Sequence, residues 1–356
     1  MSSQTIVVTG ATGNVGSRLV PRLLQDGHRV RGVCRRPPVG SVWPDVAWFP
    51  VDLTRPEAEP RLRQALDGAD AVVHLAWGFQ PSHRLDHLEE LGVGGTRRVA
   101  EAAVAMGVPH LVHMSSVGAY SPRTGPQPVP ESWPTAGAPT SPYSRHKAAA
   151  ERLLDDLEGR HPELVVTRLR PGIVGQGAAG SSLLRYGVPG YVPARLIGHL
   201  PVLPLDPRLE VPVVHVTDVV DAVSRVLDRT PGGAFNLAAD RPVTAEMAAL
   251  ALTARLVPVP ARVLRAVLAG AWHARLAQLD PGWLDLAYSV PLLSTDRAEL
   301  ELGWNARVST VDLLAEVVEG LLYRHSAPTP VLRRRSLVDT VRHLATDGPV
   351  HRRREP

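Results

Sequence analysis

Lysine is nearly absent from this chain: Lys147 is the single lysine among 39 lysine and arginine residues in 356 positions. A GC-rich codon bias would replace lysine by arginine throughout, and one surviving ammonium points to a place where a guanidinium cannot stand in. Arginine is a planar, always-charged fork, whereas lysine is a compact charge on a thin, rotatable stem. Cysteine is as scarce. Cys34 alone excludes a disulfide within the chain and fits a reducing cytoplasm. With three phenylalanines, packing must rest on Leu, Val and Ala. Long apolar runs are also missing. Leu256 to Trp272 is interrupted by Pro258, Pro260, Arg262 and Arg265, which excludes a membrane-spanning helix there. The opening MSSQTIVVTG lacks the charged-then-apolar layout of a secretory signal. No cluster of His, Cys and carboxylates has metal-ligand spacing, so no metal is expected.

What remains is an ordinary globular composition, 44% hydrophobic and 21% charged. The net charge of +4 is uneven, with Arg333, Arg334, Arg335, Arg342, Arg352, Arg353 and Arg354 crowding the end. No aromatic residue follows Tyr323, so this stretch reads as a solvated, flexible extension and no nucleic-acid partner is expected. Short β-rich runs at Thr5–Thr9, His28–Cys34, Val46–Val51, Ala71–Leu75, His110–Met114 and Val165–Arg170 alternate with helical patterns. The helices fall near Val15–Leu24, Arg61–Leu66, Thr96–Met106 and Ser144–Leu157. That alternation predicts a parallel sheet built from right-handed crossovers. Ser121 to Pro142, rich in Pro, Gly, Ser and Thr, predicts a loop over the sheet edge. Beyond Pro171 the pattern is irregular to Pro212. It then predicts helices at His215–Leu227, Thr244–Arg255, Ala261–Gln278 and Thr310–Leu322, with a strand at Ala234–Leu237.

Two local patterns carry chemistry. Thr9-Gly10-Ala-Thr12-Gly13-Asn14-Val15-Gly16 lies between the first strand and the first helix. There Gly10 permits a tight turn, Gly13 lets backbone approach a pyrophosphate, and Gly16 lets helix and sheet pack closely. The free N–H groups at the helix start favour an anion. The second strand ends Cys34-Arg35-Arg36 without an acid nearby, which predicts NADP over NAD, with Arg35 the chief partner of a 2′-phosphate. Asp52, after the third strand, suits either the adenine amino group or a turn cap. The other pattern is Tyr143-Ser-Arg-His-Lys147. Residues four apart on a helix share a face. An ammonium near a phenol with an ordinary pKa of about 10 is expected to lower it by about 1–3 pH units, making Tyr143 an acid/base near neutrality.

In chain order, TGATGNVG at Thr9, VDL at Val51, HLAW at His74, SSVGAY at Ser115, YSRHK at Tyr143, RPGIVG at Arg170, HVTDVV at His215 and FNLA at Phe235 are similar to the extended short-chain dehydrogenase/reductases, the NAD-dependent epimerase/dehydratase group. The resemblance covers about Thr5 to Leu322. It implies an α/β fold, a Rossmann-type doubly wound parallel sheet with a smaller, mainly helical substrate lobe. The nucleotide domain would take residues 1–170 and 213–240, the substrate lobe 171–212 and 241–325, and a basic tail 326–356. It implies Ser116, Tyr143 and Lys147 as catalytic residues, with Lys147 also bonding the nicotinamide ribose. It places Leu53, Leu75, Ala76, Trp77 and Pro171 along the cofactor cleft with the glycine turn, and leaves room for a homodimer.

Three departures bear on the substrate. The family's Asn-Val-x-Gly-Thr is Gly92-Val-Gly-Gly-Thr96 here. Val117 and Gly118 stand where sugar dehydratases carry an acidic pair, and Ile173 stands where nucleotide-sugar epimerases have an asparagine. Elimination of water is therefore not expected, because its acid/base pair is missing. An isoleucine donates no hydrogen bond to a sugar diphosphate. The leading expectation is an NADP-preferring, cytoplasmic oxidoreductase for a less polar carbonyl or alcohol, walled by Leu196–Leu205 and Leu256–Trp272. The alternatives are a nucleotide-sugar epimerase that retains NAD(P), and a nonenzymatic dinucleotide sensor.

Overall fold

The computed structural model describes residues 3–38, 42–78, 83–187, 200–277 and 279–334. The basic stretch beyond Arg334, and residues 196–199 of the expected apolar wall, lie outside the described residues. The first half runs β1 (Thr5–Thr9), α1 (Gly16–Gln25), β2 (Arg29–Cys34), β3 (Ala47–Pro50), α2 (Glu59–Leu66) and β4 (Ala71–His74). Then come α3 (Leu85–Glu89), a π-turn at Glu90–Gly94, α4 (Gly95–Ala105), β5 (His110–Met114), α5 (Pro142–Arg160) and β6 (Val165–Pro171). With the strand Gly233–Leu237 they form a seven-stranded sheet ordered Gly233–Leu237, β6, β5, β4, β1, β2, β3, and every pairing in it is parallel.

The sheet is buried on both faces, as a parallel sheet must be. Along β1, Ile6 and Val8 join a core with Leu19, Leu23, Val223 and Phe235, while Val7 joins another with Leu62, Val99 and Leu154. That split follows the strand's two-residue period. Helices thus cover both faces, the doubly wound arrangement expected from the alternating pattern. Chain order reverses between β1 and β4, and a crevice at the carboxyl ends of the strands opens at such a reversal.

Helix ends explain most boundaries. Ser141 Oγ caps Ser144 N at 3.4 Å and Pro142 occupies the first helical position of α5, so the helix starts ahead of Ser144 and places Tyr143 in its first turn. His215 is not helical: it ends the strand Val213–His215 and caps the helix Val216–Arg229.

The expected helix over 244–255 is shorter. It stops at Ala251, Thr253 takes φ 52°, and Arg255–Pro258 becomes a strand paired with Val202–Leu205. A partner some 50 residues away overrides a local helical composition. The helix from Ala261 likewise ends at His273, before Arg275 at φ 56°. Helices Pro281–Ser289 and Asp296–Leu302 were not anticipated, although Asp280-Pro281 is an N-cap followed by a first-turn proline.

After the second of these, Trp304 is 0% exposed and its Nε1 donates to the Asp218 carbonyl at 2.8 Å, tying residues 298–304 to the sheet core. Trp304→Ala is expected to cost about 3–5 kcal/mol, read as a lower urea midpoint at unchanged m-value. A loss under about 1 kcal/mol would show that this anchor is not part of the core.

Candidate active site

The glycine turn sits at the chain-order reversal. Gly10 has φ +68°, and a Cβ there would fall 2.7 Å from the Ala76 backbone N, so the turn and the Leu75-Ala76 exit of β4 pack backbone to backbone. At Gly16 a Cβ would lie 2.5 Å from the Gly10 carbonyl oxygen. Side chains are excluded where a dinucleotide's diphosphate would need close approach, and the residues present fit that group. Thr12 is buried and bonds the Cys34 thiol, which burial pushes up to about 11. Val15 precedes the first residue of α1.

Asn14 is fastened sideways. Its Nδ2 donates to the Val174 carbonyl at 3.0 Å, while Gln176 Nε2 donates to the Asn14 carbonyl and Oδ1, both at 2.8 Å. Gly177 N then donates to Glu316 Oε1 at 2.6 Å on the helix Thr310–Tyr323. Gln176 was not foreseen, since no local motif reports a contact across 162 residues.

At the end of β2, Arg35 and Arg36 are exposed. Partial burial and the charges of Arg35 and Arg333 hold the Arg36 pKa below its ordinary value, which brings a cation from the chain's end into the field of this pair. Asp52 acts as a turn cap. Its Oδ1 accepts from Thr54 N at 3.0 Å and Thr54 Oγ1 at 2.8 Å. Burial raises its carboxyl pKa, but the Thr54 bonds with Arg35 and Arg55 prevail and leave it low. Leu53 is buried under Gly95 and its carbonyl accepts from Arg98 at 3.0 Å.

Ser116 follows β5, and its Oγ accepts from Gly118 N at 3.0 Å and bonds the Tyr143 hydroxyl. A Cβ on Gly118 would stand 2.9 Å from Tyr143 Cε1, so the glycine here admits the ring. Trp283, from Pro281–Ser289, covers Tyr143 at 4.8 Å between centroids, and Trp77 meets it edge-on at 6.3 Å. Lys147 is 2% exposed. Its Nζ donates to the Met114 carbonyl at 2.8 Å and lies 3.5 Å from the Trp77 ring centroid. One turn further, Glu151, 1% exposed, accepts from Arg170 Nε at 2.9 Å, Arg170 Nη2 at 2.8 Å and Ser115 Oγ at 2.5 Å. Ser115 and Ser116 therefore face different partners. The spacing Tyr143, Lys147, Glu151 was available in the sequence and marks one helix face.

The phenol corrects an expectation. Burial pushes Tyr143 up to about 12, opposed by the Ser116 hydrogen bond, rather than toward neutrality. The Lys147 ammonium is engaged by Met114 and Trp77, and burial holds its own pKa well below the usual lysine value against the pull of Glu151.

A neutral chain runs beside these groups. Thr96 Oγ1 donates to the Gly92 carbonyl at 2.6 Å, so it accepts from His74 Nε2 at 3.0 Å, and His74 Nδ1 accepts from Thr9 Oγ1 at 2.7 Å. Burial, then the Lys147 charge, push His74 down to about 3. Pro171 is buried at the end of β6, paired with Leu237. Ile173 is 52% exposed. Asp218 Oδ2 accepts from Val308 N at 3.1 Å, a structural anchor. No group of three metal-ligating side chains occurs among the described residues, and no helix among them is long and apolar enough to cross a membrane.

The chain is similar to known proteins in both sequence and fold. A family model described as "NAD dependent epimerase/dehydratase family" matches residues 6–238. Ceramide reductase of Caulobacter vibrioides is 32% identical over 216 residues, covering 60% of this chain and 57% of that protein. L-arabinose 1-dehydrogenase (NAD(P)(+)) of Haloferax volcanii is 34% identical over 179 residues, 47% of this chain and 66% of that one. The chain thus matches less than two thirds of either relative's length. The solved structure of MoeE5 with UDP-glucose and NAD is 27% identical, with a TM-score of 0.61 over 89% of this chain and 98% of that one. The family match spans both the glycine turn and the Tyr143 helix, within a sheet of the appropriate strand order, and the chain belongs to the NAD-dependent epimerase/dehydratase family.

Proposed function

We propose that the chain is an NADP-preferring cytoplasmic oxidoreductase acting on a small or medium, weakly polar carbonyl or alcohol. The observation that carries this is the Ser116–Tyr143 hydrogen bond just past the end of β5, with Lys147 one helical turn further along α5. A nicotinamide dinucleotide held along Gly10–Gly16 would supply or accept hydride. Ser116 orients the substrate oxygen and Tyr143 exchanges its proton. A phenol with a pKa near 12 is protonated at neutral pH, which suits delivery of a proton to a carbonyl oxygen. Lys147 supplies a fixed ammonium beside the ribose position. Elimination is not supported, because Val117 and Gly118 cannot act as acid and base. The rings of Trp77 and Trp283 around Tyr143, with the exposed Ile173, favour a weakly polar substrate over a sugar diphosphate. Residues 171–212 and 241–325 are proposed to form the substrate side.

Arg35 and Arg36, with Arg333 in their field, support the NADP preference. NADPH is expected to bind at least about tenfold tighter than NADH, roughly 1.4 kcal/mol, in nicotinamide fluorescence titrations. Arg35→Ala should erase most of that gap, and equal affinities in the unaltered protein would overturn the preference. A panel of ketones and aldehydes followed by NADPH oxidation tests the reaction. Likeness to MoeE5 supports a second reading, a nucleotide-sugar epimerase that retains NAD(P). Cofactor co-purifying with the protein, plus conversion of UDP-sugars without added nicotinamide, would favour it.

A further inference from the structure

One departure from the family pattern, Gly92, meets the tryptophan of the HLAW run. Trp77 is half-buried, with Lys147 Nζ over one face of its ring, 3.5 Å from the centroid. The far rim of the same indole lies where a side chain at position 92 would have to go. A Cβ on Gly92 would fall 2.9 Å from Cζ2, 3.0 Å from Cη2 and 3.2 Å from Cε2 of Trp77. The Gly92 carbonyl is held by Thr96 Oγ1 at 2.6 Å, and Thr96 by His74 at 3.0 Å, so the backbone there is not free to retreat. Any residue larger than glycine at 92 must therefore displace the indole. The missing asparagine at this position and the tryptophan after His74-Leu75-Ala76 are one feature rather than two.

The lysine explains what the feature does. An ammonium has three donors and is costly to bury without partners. The Met114 carbonyl takes one bond at 2.8 Å. An aromatic face attracts a cation through its quadrupole, more strongly when both are removed from water. A guanidinium, wider and planar, would need a different pocket, and this is the position where lysine persists. Tyr143 meets the same indole edge-on at 6.3 Å and 81°, so the ring contacts both members of the Tyr143–Lys147 pair. The other ionisable groups close to the ammonium are His74 and His113, both held neutral by burial, and Glu151 one turn along α5.

We propose that Trp77 is a positioning residue for Lys147, holding its ammonium against the Met114 carbonyl, and that Gly92 is the partner whose missing side chain makes room for the indole. The assignment of a catalytic role to that lysine rests on the proposed function; the positioning itself does not.

Because Lys147 is the single lysine, protein grown with lysine carrying 13C at Cε gives one side-chain resonance, which reports the site without turnover. In the unaltered full chain this resonance should be displaced upfield by the indole ring current. In Trp77→Leu it should move toward the ordinary lysine position and titrate about one pH unit lower, since an apolar wall replaces the quadrupole. Trp77→Phe should retain part of both effects. Gly92→Ala, which reaches Lys147 only by displacing the indole, should shift the same resonance, but should add nothing in the Trp77→Leu background, as coupled sites require. A lysine resonance and titration indifferent to Trp77→Leu, in protein whose circular dichroism and melting match the parent, would overturn the proposal. So would full additivity of the two substitutions. A lysine that responds in a protein without carbonyl turnover would sink the functional reading and leave the positioning role standing; the opposite pair of results would do the reverse.

Discussion

Tyr143→Phe is expected to lower carbonyl turnover by about 10²–10⁴-fold, the range for removing a positioned general acid, while leaving NADPH affinity within about twofold. The phenyl ring keeps the contacts that seat the residue: the turn at Gly118, the face of Trp283 and the edge of Trp77. The hydroxyl bond to Ser116 is what is lost. Single-turnover rates, with fluorescence titration of cofactor on the same protein, separate chemistry from binding. A variant retaining more than a tenth of the parent rate would exclude Tyr143 as the proton donor. The dinucleotide-sensor alternative differs sharply, since it predicts a cellular role indifferent to this substitution. With the phenol near 12, its acid form prevails through neutral pH. Reduction should not fall between pH 7 and 9 on account of Tyr143, whereas oxidation, which needs the phenolate, should rise with pH.

Acid is expected to unfold the protein well before carboxylates as a class are neutralised. Burial pushes His74 down to about 3 and His110 down to about 4, and holds His113 far below its ordinary value. In the unfolded chain each titrates near about 6.5. Between those limits the unfolded state binds protons that the folded state refuses. These groups leave stability intact above about pH 6.5 and remove it as pH falls below that point, by about 1.4 kcal/mol per pH unit each. Three in parallel give a slope of about 4 kcal/mol per pH unit, enough to exhaust an ordinary 5–15 kcal/mol within a few units. Both His113 ring nitrogens lack a partner among the described residues, so His113→Phe should flatten this slope by about a third. Urea midpoints measured from pH 7.5 to 4.5 check both statements, and a flat profile over that range would refute them.

The legible parts of the molecule were those encoded locally. β1, the glycine turn, α1 and the first turn of α5 each carry their signal within a dozen residues, and strand alternation implied the doubly wound sheet. What escaped was set by distant partners. Arg255–Pro258 looked helical until Val202–Leu205 supplied a strand to pair with. Trp283 reaches Tyr143 from a helix whose only announcement was Asp280-Pro281. Asp52 had two open roles, and its Oδ1 takes the cap through the Thr54 bonds. The phenol's direction was misjudged because spacing along α5 reports that two groups share a face, not how deeply the face is buried.

The sideways fastening of Asn14 has a mechanical consequence. Asn14, the Gln176 side chain, the Gly177 backbone N–H and Glu316 form a strut from the first glycine-rich bend to the helix Thr310–Tyr323. Tension at one end is transmitted to the other with little slack, and Glu316 also grips His215 at 3.0 Å. Trimming the protein ahead of Glu316 would therefore slacken the nucleotide end, some 300 residues upstream in the chain.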